Sequence, residues 1–146
     1  MIKTILSQAK EKITSYKLPV IPKCYYIELE EATEAIREMI KELEAKPISI
    51  KTLNIRVDTA RDLVLKLYNT TTDMIKKARL AEEAILYGNR YRSGFEGLSN
   101  KLNLAEQLFL KGEYQKSLEL SVTLLSKIEP GIYERLIQYK TNKGDV

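Results

Sequence analysis

The sequence predicts an all-α fold, an elongated antiparallel helical bundle with a C-terminal helical hairpin packed on one long central helix. Three observations predict it. Ile50, Leu53, Val57, Ala60, Val64, Leu67, Thr71, Met74, Ala78, Ala81 and Ile85 recur at alternating spacings of three and four. That heptad ladder keeps one apolar seam on one side of a helix. Neither Pro nor Gly interrupts residues 49–87. Apolar residues make up 44% and charged residues 30%, with six Gly and four Pro, which suits helices with a buried stripe and wet outer faces.

Each element follows from local signals. The first segment, about Ile2 to Lys17, is weakly amphipathic, with Ile2, Ile5, Ala9, Ile13 and Tyr16 on one side. Leu18-Pro19-Val20-Ile21-Pro22 breaks it, because Pro removes a helix hydrogen bond and restricts the residue before it. A second helix spans about Lys23 to Ala45. Its seam is Tyr25, Leu29, Ala32, Ile36, Met39 and Leu43, and its outer face is rich in Glu. Lys46-Pro47-Ile48 is a short connection of the kind that joins antiparallel neighbours, and Ser49 is the expected N-cap of the long helix. Read from about Ser49 to Tyr91, that helix is roughly 65 Å long at ~1.5 Å per residue. The second helix covers only its first half.

The C-terminal third supplies the remaining partner. Gly94 and Gly97 flank a break. A helix over about Leu98 to Lys111 carries Leu98, Leu102, Ala105 and Phe109 on one face. Gly112 is the expected left-handed residue at its end. A helix from about Glu113 to Ile128 buries Tyr114, Leu118, Ser121, Leu125 and Ile128. Glu129-Pro130-Gly131 stops it, a short helix over about Ile132 to Lys140 follows, and Thr141 to Val146 should fray. Ala105 to Leu118 has the small residue, Gly turn and following Tyr of a tetratricopeptide hairpin, in a single copy. The whole is expected to be one helical domain, with residues 1–93 as the coiled-coil part and 94–140 as the hairpin and last helix.

Composition excludes several function classes. With no His, the commonest metal ligand and general acid–base is absent. The lone Cys24 cannot form an internal disulfide and reads as a small apolar residue near a helix start. There is no glycine-rich phosphate loop and no Cys-x-x-Cys. Glu30-Glu31 and Glu82-Glu83 are sequence neighbours on helices, so the members of each pair diverge by about 100° and do not converge on a substrate. No catalytic residue, cofactor or metal site is expected, and the chain reads as a non-enzyme. No apolar stretch approaches the ~18 residues of a membrane span, and residues 1–12 are not a signal peptide, because Lys10, Glu11 and Lys12 interrupt any apolar run.

The net charge of +4 is unevenly spread. Residues 1–23 carry five Lys against Glu11, and residues 24–46 carry seven Glu against Arg37, Lys41 and Lys46. Residues 47–93 are again basic. The expected reason is pairing of an acidic helix with basic ones along their edges. The Lys and Arg are too dispersed for a nucleic-acid surface, which would cluster them on one face among stacking aromatics.

One stretch stands out. Tyr87, Gly88, Asn89, Arg90, Tyr91 and Arg92 lie where the long helix ends, and the next seam positions after Ile85 are Gly88 and Arg92. Tyr and Arg combine large contact area with directed hydrogen bonds, so they are enriched at binding hot spots. The same residues also suit a structural role, with Gly88 allowing close packing and the Arg side chains capping the helix end. The residues alone leave both readings open.

Asn54 to Asn69, Ala81 to Arg92, and Leu110 to Tyr133 together resemble the C-terminal region of the septation ring formation regulator family, EzrA. The resemblance runs from about residue 47 to 135. It implies a protein of low-GC Gram-positive bacteria and their relatives. It also implies a long cytoplasmic rod of spectrin-like helical repeats behind one N-terminal membrane helix. It implies binding to the tubulin-like division protein FtsZ, or to another septal division protein, and control of the assembly and placement of its ring at the division septum. The chain is much shorter than such proteins and holds no membrane helix, so Met1 is read as the start of a fragment that makes no membrane contact itself. The resemblance carries a recruitment role onto Asn89, Arg90, Tyr91 and Arg92, and onto Tyr87 and Gly88 at the edge, with Leu86 standing where relatives have Gln. The competing reading is a soluble tetratricopeptide-like adaptor for a peptide or client helix. Heptad seams can be satisfied within or between chains, so self-association is open on the sequence alone.

Overall fold

The computed structural model describes residues 1–95 and 97–142, with side chains to residue 137. Six α-helices and one 3-10 turn appear among the described residues: α1 (Ile2–Ser15), α2 (Lys23–Glu44), α3 (Ile50–Gly88), the 3-10 turn Asn89–Tyr91, α4 (Leu98–Leu110), α5 (Tyr114–Ile128) and α6 (Ile132–Asn142). The class is all-α, as the periodicity predicts. Thr141 and Asn142, expected to fray, are helical, and the rest of that expectation falls on 143–146, outside the described residues.

The 39-residue α3 runs unbroken through Thr70-Thr71-Thr72. Each Thr costs up to ~0.7 kcal/mol of helix propensity against Ala, whereas burial of Leu67 and Met74 on either side contributes about 1.5–3 kcal/mol each. Burial therefore prevails. Ser49 caps the helix as expected: its Oγ accepts from the Thr52 N–H at 3.3 Å, and its carbonyl accepts from Leu53 N at 2.9 Å.

Backbone contacts group the chain into two units, residues 1–17 with 21–73, and residues 18–20 with 74–146. In the first unit, Ala32, Ala35, Ile36, Ala60 and Val64 form a core against which Ile2, Ile5, Leu6 and Leu63 pack. Lys12 lies 5.2 Å from the centroid of the Tyr68 ring. Glu28 accepts from Thr70 Oγ1 at 3.2 Å and lies 3.9 Å from Lys66 Nζ. These contacts make α2 antiparallel to both α1 and the first part of α3. The seam is buried from Ala60 onward, but at its start Ile50 is 67% exposed. The expected charge pairing is sparse. Glu28 is the α2 carboxylate that reaches a cation on another helix, Glu34 and Glu38 pair with Arg37 and Lys41 of their own helix, and Glu30, Glu31, Glu42 and Glu44 have no ion-pair partner among the described residues.

In the second unit, Leu80, Ala81 and Ala84 of α3 pack with Leu118 and Leu125 of α5 and with Ile132 and Leu136 of α6. Leu98 and Leu102 of α4 pack with Leu124 of α5. The α4–α5 turn is a Schellman motif. Gly112 has φ +88°, its N–H donates to Phe109 O at 3.0 Å, and Glu113 N donates to Leu108 O at 2.9 Å. Close approach of the two helices is marked by the Ser117 hydroxyl, which donates to Ala105 O at 2.8 Å. Val20 seats on this turn. Its N–H donates to Tyr114 Oη at 3.3 Å, and the Tyr114 hydroxyl donates to the Val20 carbonyl.

Candidate functional site

The end of α3 is shaped by what surrounds it. Gly88 is buried against Leu102 and Leu125, and a Cβ there would stand 3.0 Å from Leu102 Cδ1 and 3.3 Å from Leu125 Cδ2. A side chain would fill the space that lets α3 approach α4 and α5. Just beyond it the chain tightens into the 3-10 turn, where the Arg92 N–H closes on Asn89 O at 3.4 Å and Gly94 N on Tyr91 O at 3.1 Å.

The six sequence-predicted residues divide by environment. Gly88 faces the core. Arg92 is 22% exposed at its side chain and reaches α4. Its Nη1 donates to Asn103 Oδ1 at 2.8 Å and to Ser99 O and Oγ at 3.3 Å, its Nη2 pairs with Glu106, and its Nε donates to Asn89 Oδ1 at 2.7 Å. This set ties the turn to the first three turns of α4 and leaves the carbonyls at the end of α3 uncapped by Arg92. Tyr87 and Tyr91 are half-buried, with ring centroids 6.0 Å apart, and both hydroxyls donate to Glu129 Oε2, Tyr91 at 3.3 Å. Burial pushes the Tyr87 phenol above its ordinary value, and Tyr91 adds to the rise while Arg90 and Arg135 oppose it. Arg135 of α6 pairs with the other oxygen of Glu129.

Asn89 and Arg90 are the exposed members. The Arg90 guanidinium carbon lies 4.1 Å from the centroid of the Tyr87 ring and has no carboxylate partner among the described residues. A cation so held over an aromatic face is ordered yet keeps its N–H donors for another molecule. Beside it runs an open groove of about 390 Å³, floored by Ile132 and Leu136 and edged by Glu83, Arg90 and Arg135. Leu86, 58% exposed, stands at its lip.

Sequence reasoning missed Glu129, Arg135, Ser99, Asn103 and Glu106. Glu129 reads in sequence only as part of a helix stop, although it holds both tyrosines from 38 and 42 residues away. An acidic residue next to Pro-Gly was the one available signal.

These features define a helical-bundle protein whose candidate site is a polar and aromatic surface patch at a helix end. Among the described residues there is no group of His, Cys, Asp and Glu that could hold a metal ion, and no helix long and apolar enough to cross a membrane. The chain belongs to the septation ring formation regulator family, EzrA, whose family model matches residues 1–139. The match therefore includes α1 and α2, ahead of residue 47, where the resemblance legible in the sequence begins. The chain is 34% identical over 137 residues to the septation ring formation regulator EzrA of Geobacillus sp. (strain WCH70), covering 94% of this chain and 24% of the relative. It is 34% identical to the Geobacillus kaustophilus protein over 131 residues, and 31% identical to that of Halalkalibacterium halodurans, each covering 90% of this chain and 23% of the relative. It thus spans about a quarter of the length of the curated relatives it matches. No solved structure matches it significantly. Family membership places the chain among the septation ring formation regulators.

Proposed function

We propose that this segment recruits its protein to the division site by presenting Asn89 and Arg90, braced by Tyr87 and Tyr91, to a septal division protein, with FtsZ the leading partner. In that reading the longer protein is anchored to the membrane elsewhere in its chain and restrains the assembly and placement of the FtsZ ring. Gly88 and Arg92 serve the patch from behind: Gly88 lets α3 settle on α4, and Arg92 locks the turn that carries Asn89 and Arg90. The observation that carries the reading is the Arg90 guanidinium, exposed, held 4.1 Å from the Tyr87 ring centroid and without a carboxylate partner among the described residues. Arg residues so placed commonly dominate an interface.

Co-sedimentation of the purified chain with FtsZ polymers tests it. Arg90→Ala with Asn89→Ala should release the chain into the supernatant while its helical circular dichroism stays unchanged. Undiminished co-sedimentation of that variant would remove the patch from the interface.

A further inference from the structure

We infer that a second surface, the groove between α2 and the first part of α3, docks a cationic amphipathic helix from another protein. This groove lies wholly within residues 27–63 and has a volume of about 480 Å³. Its floor is apolar, made by Ile27 and Ala35 of α2 and Leu63 of α3. Ile27 is 56% exposed. Its rim carries Glu30, Glu31, Glu34 and Glu38, against Arg56 as the basic residue lining it.

The charge on that rim has little use inside the chain. Glu34 and Glu38 each meet a cation one turn along their own helix, and Glu30 and Glu31 have no ion-pair partner among the described residues. The Lys-rich segment at residues 1–23 is already committed, because Ile2, Ile5 and Leu6 of α1 pack on the Ala32–Ile36–Val64 core. The groove is thus an apolar trough with an unanswered negative rim. Its α2 wall runs from residue 27 to residue 38, about 16 Å at ~1.5 Å per residue, or three helical turns. A helix of about three turns, with apolar side chains at i, i+3 or i+4, and i+7 and with Lys or Arg on both flanks, satisfies floor and rim together. The chain as a whole is +4, so a cationic helix is repelled by the average surface and attracted here. Complementarity of this kind selects a partner and hastens its approach, and it weakens with salt.

The probe is a fluorescent helical peptide of Leu and Lys in heptad spacing, with a twin carrying Glu in place of every Lys. Anisotropy titrations use the full chain, Ile27→Ser, the pair Glu30→Lys with Glu31→Lys, and Arg90→Ala. All the substituted side chains are exposed, so the fold should persist, and circular dichroism melting checks this. We expect the Lys peptide to bind, the Glu twin not to bind, and affinity to fall with added salt. Ile27→Ser and the double charge reversal should each weaken the Lys peptide at least tenfold, and Arg90→Ala should leave it unchanged. Equal binding of both peptides, no binding of the Lys peptide, or binding indifferent to Ile27→Ser would overturn the assignment. A concentration-dependent dimer of the chain that Ile27→Ser abolishes would also overturn it, since the occupant would then be a second copy.

Discussion

Gly88 of α3 and Leu102 of α4 meet so closely that a methyl group on Gly88 would stand 3.0 Å from Leu102 Cδ1 and 3.2 Å from Cδ2. Leu102 and Leu125, which crowd the same point, are both fully buried and have little room to retreat. Gly88→Ala gains about 1 kcal/mol of helix propensity and incurs overpacking of about 1–3 kcal/mol. The net outcome expected is a loss of ~1 kcal/mol, read as a lowered denaturation midpoint at unchanged m-value. A raised midpoint would show that the leucines yield freely.

Arg92 and Arg90 should separate cleanly. Arg92→Ala removes the donors that hold Ser99, Asn103 and Glu106 of α4. Charge-assisted bonds of a mostly covered side chain contribute about 1.5–3 kcal/mol, reduced here because Glu106 is well exposed. A loss of ~1–2 kcal/mol is expected. Arg90→Ala, at an exposed position, should stay within about 0.5 kcal/mol of the parent. Chemical denaturation of the two variants beside the parent reads both values.

Thr71 sits on the α3 seam, fully buried, and its hydroxyl has no hydrogen-bond partner among the described residues. Thr71→Val keeps the shape and removes the uncompensated polar atom. Stability should rise by ~1 kcal/mol, visible as a higher melting temperature. A fall would mean that the hydroxyl is bonded in solution.

Much of this fold was legible because its signals are local. The seam from Ala60 to Ile85, the Ser49 cap and the left-handed Gly112 each depend on residues within a few positions of one another. What escaped depends on neighbours distant in sequence. From Leu80 to Ala84 α3 packs against both α5 and α6, so Leu80 and Ala84, which lie off the single heptad line, are buried with Ala81. A heptad count finds one stripe and cannot register a helix covered on two sides. Ile50 satisfies the count and is nevertheless exposed, because periodicity says which face is apolar and not whether anything covers it. The patch was located by its composition, but its division into exposed Asn89 and Arg90 and inward-facing Gly88 and Arg92 required α4. The bracing of Tyr87 and Tyr91 required Glu129.

Burial raises the Tyr114 phenol above its ordinary 10.0, opposed in part by the Val20 backbone bond, and burial likewise raises Tyr25, with Tyr26 adding to it. Both side chains are almost wholly covered. In the unfolded chain a tyrosine ionises near pH 10, whereas these two hold their protons longer when folded. Their contribution is fully present below about pH 10 and is lost as pH rises through the raised folded values. Stability should therefore fall as pH rises above about 10, and the fall should be smaller in Tyr114→Phe, which has one fewer late-ionising phenol. An equal fall in both proteins would contradict the assignment.

The central claim is that Asn89 and Arg90 face the division machinery while Arg92 serves the fold. The most direct measurement is septal localisation of a fluorescently tagged full-length protein carrying either Asn89→Ala with Arg90→Ala or Arg92→Ala, with melting of the corresponding purified chains. The account predicts that the Asn89/Arg90 variant, which gives up only the exposed Arg92 Nε–Asn89 bond, melts closer to the parent than Arg92→Ala does and loses its mid-cell band. An Asn89/Arg90 variant that keeps its mid-cell band would contradict it.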